Sequence, residues 1–289
     1  MNRSSRIALA FLVTAVLVGL IAWLLWPQPL PPVPKPVPVT QPVTSGADVT
    51  VSPVPSNDPI RHPVQAIEAT EAPPRPLPAL GQSDARLQQD LNGLVGRKNV
   101  QTFVLLESFV RRAVATVDNL GREHAAPSMW PVHPTAGRFT TLKQGEGEVI
   151  NPDNGQRYVP LVQFIESVDS RKALQFYVSL YPLFQQAYVE LGYPKGYFND
   201  RLVAVIDQLL ATPVIEGPLA VALVDVKGPI ASERPWTRYE FADEKLQSLS
   251  AGQKMLLRTG PVNHRRLKAK LLDIRKLLTK AELPASVTP

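Results

Sequence analysis

The 289-residue chain has no cysteine. That excludes disulfides, thiolate metal sites and attachment through a lipidated cysteine. In an oxidising compartment, a domain of this chain must rest on its apolar core alone. Histidine is scarce: His62, His124, His133 and His264 are the only four. None falls in an HExxH or comparable spacing, so no metal site and no cofactor are expected. The motifs GxSxG, SxxK, GxGxxG and the P-loop are also missing. A hydrolase working through two carboxylates needs no such motif, and Glu146 with Glu148, or Glu166 with Asp169, are the pairs close in sequence. Each has a plainer reading: the first as a solvated turn around Gly147, the second with Asp169 as a helix cap.

Charge is also lacking where it matters most. Ile7 to Trp26 is a run of 20 residues without one charged side chain. As a helix it spans about 30 Å, the thickness of a bilayer core. Arg3 and Arg6 precede it, and Trp23 and Trp26 close its distal end where indoles favour the headgroup layer. The arginine bias predicts residues 1–6 in the cytoplasm, 7–26 as a single-pass inner-membrane signal-anchor, and the remainder in the periplasm. A cleaved signal peptide is the rival reading. Its apolar region is normally about 7–15 residues, and Trp23-Leu24-Leu25-Trp26-Pro27 offers no pair of small residues for cleavage.

Residues 27–80 hold 16 of the chain's 30 prolines. Proline lacks an amide donor and fixes φ, so this stretch reads as a disordered Pro-rich linker with polyproline II segments. Fully extended it reaches about 170 Å.

Proline becomes sparse and apolar periodicity begins at residue 81, so 81–289 reads as one globular periplasmic domain. Ser83-Asp84 caps a helix carrying Leu87, Leu91 and Leu94. A second helix is expected from Asn99 to Leu120 on a stripe of Phe103, Leu106, Val110, Val114 and Val117. Phe139–Leu142 and Glu148–Ile150 suit short strands, with Asn154-Gly155 as a turn. A short helix over Leu161–Val168 precedes a long one, capped by Asp169 or Ser170, that ends at Gly192 with a kink at Pro182. Asn199-Asp200 caps a helix to Leu210. Strands are expected within Leu219–Val226 and Thr237–Phe241, and helices over Ser250–Arg258 and Pro261–Lys280. The fold class is mainly α with a small β element, that is, α+β.

Two stretches are candidate contact surfaces. Eight of the 20 aromatics lie between Phe176 and Phe198, and Tyr177, Tyr181 and Tyr188 share one helix face. Exposed, they would suit a sugar or protein partner; otherwise they edge the core. Asn199-Asp200-Arg201 beside Tyr193, Tyr197 and Phe198 is either a polar binding corner or a helix cap. Residues 254–280 hold nine Lys or Arg and one acid. Arg265, Arg266, Lys268, Lys270, Arg275 and Lys276 surround the apolar stripe of the last helix. That pattern fits either a solvated amphipathic helix or an anionic envelope component or acidic envelope protein. Nucleic acid is not expected outside the cytoplasm.

The segments Gly196–Pro213 (GYFNDRLVAVIDQLLATP) and Trp236–Pro261 (WTRYEFADEKLQSLSAGQKMLLRTGP) resemble an uncharacterised proteobacterial family of membrane-anchored envelope proteins, catalogued as a domain of unknown function. The resemblance runs from about Ser83 to Leu283. It implies an envelope protein and no particular reaction. The function expected is a non-enzymatic envelope binding or structural module, with an envelope hydrolase as the alternative.

Overall fold

The computed structural model describes residues 59–64, 76–224 and 234–279. The chain divides into Met1–Val51 and Ser52–Pro289, and all described residues belong to the second unit. The run Ile7–Trp26, its flanks Arg3, Arg6, Trp23 and Trp26, and most of the Pro-rich stretch lie outside the described residues. Among the described residues no helix is long and apolar enough to cross a membrane.

After a 3-10 turn at Leu80–Gln82, α1 spans Asp84–Val95 and buries Leu87 and Leu91. Ser83 does not cap it; its hydroxyl donates to the Leu80 carbonyl at 2.8 Å. Asp84 reaches across instead, accepting the backbone N–H groups of Ser108 (2.8 Å) and Phe109 (3.3 Å). The helix expected over Asn99–Leu120 is two helices, α2 (Arg97–Phe103) and α3 (Phe109–Leu120). Between them Val104 is extended and bridges Val132. Leu105 N–H donates to the Pro131 carbonyl at 2.9 Å, and His133 N–H to the Phe103 carbonyl at 3.0 Å. The proline-broken loop thus offers this backbone partners outside a helix. Apolar spacing is blind to that exchange, because the stripe resumes in phase.

The sheet is a four-stranded antiparallel meander: β1 Thr141–Gln144, β2 Gly147–Ile150, β3 Ala220–Leu223, β4 Tyr239–Phe241. Gln144 pairs with Gly147 across a two-residue turn. Gly145 takes φ 61° there, as the first central position of a tight hairpin turn requires. Asn154-Gly155 is not a turn; it opens α4, Asn154–Ser167. Asn154 is 1% exposed. Its amide accepts from Thr140 N–H at 3.0 Å and donates to the Thr140 carbonyl at 2.6 Å. A turn-former has become the pin between hairpin and helix.

Next come α5 (Ser170–Glu190) and α6 (Phe198–Leu210). Asp169 caps α5 as expected, accepting from Arg171 N–H (2.9 Å) and Lys172 N–H (3.0 Å). Those bonds hold its carboxyl below the usual range. The helix continues on both sides of Pro182, which is exposed, where a missing donor costs least. Two short helices follow β4: α7 (Glu244–Gln247) and α8 (Ala251–Arg258). Ser250 and Gln253 form a reciprocal capping box on α8. The last helix, α9, is Pro261–Leu278.

The main core joins α3, α5, α6 and α9 around Val114, Leu180, Phe198, Val203 and Leu278. One buried carboxylate ties α3 to α6 and to the loop between α5 and α6. Asp118, 3% exposed, accepts from Arg201 Nε at 2.9 Å, Arg122 Nε at 2.9 Å and the Tyr193 hydroxyl at 3.2 Å. Arg201 also donates to the Asp118 carbonyl at 2.7 Å. The Arg122 carbonyl accepts Ala251 N–H at 2.7 Å, so the network continues into α8. Asp118→Ala would leave Arg201 without its carboxylate and should cost about 3 kcal/mol in urea unfolding.

His264 is 1% exposed, and its Nε2 has no partner among the described residues. Burial, reinforced by Lys268 and Arg265, pushes its imidazole down to about 4. The folded value lies below the usual 6.5, so the unfolded chain takes up the proton first as pH falls. The stability from neutral His264 is complete above about pH 6.5 and is lost down to about pH 4, a loss of about 3 kcal/mol. Urea unfolding of His264→Asn should show a flatter pH dependence across that window than the parent chain.

Candidate functional site

The tyrosine stripe does not form an exposed face. Tyr181 and Tyr188 are 7% and 5% exposed, and Tyr177 is half-buried. The rings pack on one another: Tyr177 meets Tyr181 edge-on at 5.6 Å, and Tyr188 stacks on Tyr193 at 4.5 Å. Burial raises the Tyr177 and Tyr181 hydroxyls well above the usual phenol range and pushes Tyr188 up to about 12. Half-apolar side chains have gone inward because the neighbouring polar corner satisfies their hydroxyls. Tyr177 donates to Asn199 Oδ1 at 3.1 Å, and Tyr181 donates to Gln185 Oε1 at 2.9 Å.

Asn199 and Asp200 do not cap α6; they lie inside its first turn, and Tyr197 precedes the helix. Their side chains hold a strap formed by residues 60–64. Asp200 accepts the N–H of Arg61 (3.0 Å) and of His62 (2.7 Å) on its two carboxylate oxygens. Fully buried Asn199 donates to the His62 carbonyl at 2.8 Å. The Tyr197 hydroxyl accepts Val64 N–H at 2.9 Å, and Val64 is 5% exposed in the main core. Composition assigns this strap to the linker, yet its backbone donors and acceptor are matched one by one on the domain. Nothing in the composition of 59–64 signals this; the complementary side chains lie more than 130 residues away.

The basic helix α9 presents less free charge than its sequence suggests. Arg265 pairs with Glu216, and Arg266 grips both oxygens of Glu166, its Nε at 2.7 Å from Oε1. Arg275 holds Asp207 at 2.6 and 3.1 Å. Lys268 donates to the Thr212 carbonyl at 2.9 Å and Lys270 to that of Val168. Lys276 is exposed. These cations are therefore mostly matched to the acids and carbonyls of the loops they cross. The Arg266 contact also pulls the Glu166 carboxyl down. Glu148 accepts from the Thr141 hydroxyl at 2.9 Å. Glu166 and Asp169 are both shifted down, whereas a general acid needs a carboxyl shifted up.

A cleft of about 650 Å³ lies between α4, α8 and the loops at 130–139 and 235–239, within the range of small-molecule sites. Its mouth is marked by the exposed His133, Gly137 and Thr237; its floor is made by the buried Leu209 and Leu256, with Leu120, Leu161, Ile165 and Leu267 beside them. Trp130, Phe139, Tyr158, Trp236 and Tyr239 line the walls between. Among the described residues no Asp or Glu lines it. Gly252 makes the close approach of α8 possible: a Cβ there would come within 2.6 Å of Leu209 Cδ2 and 3.0 Å of the Leu120 carbonyl.

Three arginines surround the cleft, and none forms an ion pair among the described residues. Arg138 lies over the Trp236 ring at 4.1 Å. Arg157 donates to the Ala136 (3.0 Å) and Gly137 (3.2 Å) carbonyls. Arg258 donates to the Tyr239 carbonyl at 2.6 Å and faces the Phe241 ring at 5.2 Å. Its Nε is buried with no acceptor, and burial lowers its basicity. Elsewhere Arg86, Arg111, Arg122, Arg201, Arg265, Arg266 and Arg275 all pair with carboxylates. Arg61, Arg97, Arg112, Arg171 and Arg238 likewise form no ion pair among the described residues; the three at the cleft differ in standing beside apolar walls, with the charge of Glu240 acting on Arg258. Among the described residues no three His, Asp or Glu side chains converge as a metal site.

A family model described as "Protein of unknown function (DUF3014)" matches residues 109–275, more than half of the chain. The chain belongs to the DUF3014 family. No curated protein and no solved structure matches it. The DUF3014 match begins with α3 and ends in α9. It therefore takes in Asp118 and the whole cleft lining, and leaves out the strap and α1 to α2.

Sequence reasoning missed the cleft because its arginines are scattered through three segments and its aromatics through four. The one local signal is the density of Arg and aromatic residues in Trp236–Phe241 (WTRYEF). For the strap, Asp200→Ala removes two charge-assisted bonds and should loosen it by about 2 kcal/mol. Amide exchange at Arg61 and His62 should then accelerate roughly thirtyfold. Unchanged exchange there would show that Asp200 does not hold the strap.

Proposed function

We propose that this protein is a non-enzymatic binding module of the bacterial envelope, anchored in the inner membrane by Ile7–Trp26 and displayed in the periplasm. The observation that carries the binding half of this reading is the cleft: apolar and aromatic walls and, among the described residues, arginines without a bonded carboxylate and no acidic residue in the lining. Buried or half-buried charge is ordinarily paired, so a site of this kind is complementary to an anionic ligand. The anchoring half rests on the arginine-flanked apolar run and on the resemblance to anchored envelope proteins.

The hydrolase alternative calls for a carboxyl held protonated near a second carboxylate. Glu166 and Asp169, its nearest candidates, are both shifted the other way by Arg266 and by backbone N–H groups.

Full-length protein should stay with membranes through an alkaline carbonate wash, and removal of residues 1–26 should release it. Isolated under native conditions, it should carry a non-covalent small molecule by mass spectrometry. That molecule should be lost in the cleft-filling variant Met255→Trp and retained in Val262→Trp, which alters an exposed position away from the cleft. Equal retention in both variants would rule out the cleft as the binding face, and release of soluble fragments from purified cell wall would rule out the non-enzymatic reading.

A further inference from the structure

The cleft is polarised, and its polarity specifies a ligand. The floor is aliphatic: Leu209, Leu256, Leu161, Ile165 and Leu267 supply no hydrogen-bonding side-chain atom. A sugar or peptide placed there would leave its polar groups desolvated and unpaired. An acyl chain would lose nothing. Towards the opening, the lining changes to rings and guanidinium groups, with Arg258 beside Tyr239 and Arg157 beside Tyr158. Arg258 is the cation best placed to receive an anion. Its single protein acceptor is one carbonyl, its Nε has none, and no carboxylate bonds to it among the described residues, Glu240 acting on it only through its charge. A planar guanidinium grips a carboxylate or phosphate through two parallel bonds.

We infer that the cleft holds a single-chain anionic amphiphile, with its acyl chain on the Leu209–Leu256 floor and its carboxylate or phosphate head on Arg258. This rests on the cleft being the binding face. The volume of about 650 Å³ admits one ligand of small-molecule size. Arg157 and Arg138 extend the positive field to the mouth and favour capture of the charged form.

The test uses the full chain in membrane vesicles and a photoreactive dodecanoic acid with its diazirine in the chain, the adducts being mapped by peptide mass spectrometry. Labelling should fall in α4 and α8, and laurate or dodecyl phosphate should compete at concentrations at least about tenfold below dodecanol, the advantage of one charge-assisted contact. Whichever of the two anions competes better identifies the head group. Arg258→Gln should erase that advantage, Arg258→Lys should recover part of it, and Met255→Trp should abolish labelling. Unchanged circular dichroism and melting would certify that each variant folds.

Equal competition by dodecanol or dodecyltrimethylammonium, or an unaltered advantage in Arg258→Gln, would overturn the inference. If no amphiphile labels the cleft while Met255→Trp still expels the co-purified molecule, the ligand class is wrong and the cleft remains the binding face. If neither labelling nor expulsion occurs, both readings fall.

Discussion

The buried carboxylate of Asp118 is the constraint on which the arrangement of helices depends. A charge at 3% exposure is tolerable only where it is fully bonded. Asp118 meets that demand by drawing in Arg201 from α6, Tyr193 from the α5–α6 loop and Arg122 from the end of α3. Each bond fixes one element relative to another. The carbonyl of Arg122 then anchors the first residue of α8, and Gly252 lets that helix close on Leu120 and Leu209. The far end of the same helix carries Arg258. The position of the cleft is therefore tied, through α8, to a polar network at the end of α3.

The tyrosine cluster and the strap illustrate a second use of buried polarity. Aromatic rings dense enough to suggest a contact surface are instead folded inward. Their hydroxyls, with Asn199, Asp200 and Gln185, form a polar lining at the α5–α6 corner, and the occupant of that lining is the chain's own segment 60–64. The corner binds backbone groups, which any sequence carries, and Val64 adds an apolar plug. Composition therefore could not reveal the docking, since proline-rich residues and docked residues look alike until their partners are in place.

The two concentrations of positive charge differ in what surrounds them. On α9, Arg265, Arg266 and Arg275 cross loops carrying Glu216, Glu166 and Asp207, and the charge is spent within the domain. At the cleft, Arg138, Arg157 and Arg258 are held by carbonyls and rings and have no bonded carboxylate among the described residues, Glu240 acting on Arg258 only through its charge. Net charge along the sequence pointed to the first group. Pairing in space singles out the second. In this DUF3014 domain the second group stands beside an apolar cleft.

Local chemistry determined much of this protein. The periodicity of Leu87 and Leu91, the cap at Asp169 and Pro261 opening α9 are short-range effects legible along the chain, whereas Gly145 in its hairpin and the capping box of Ser250 were not read from it. The mainly helical α+β class was legible too. Apolar spacing could not register the break at Val104, because the bonds that replace the helix come from Pro131 and His133. Nor could it assign Asn154, Asp84 or Asp200, whose side chains serve distant backbone instead of their own helices. The cleft and the strap belong wholly to the tertiary structure. Burial and charge compensation depend on which groups come within a few ångströms of each other, and that is decided only when the helices pack.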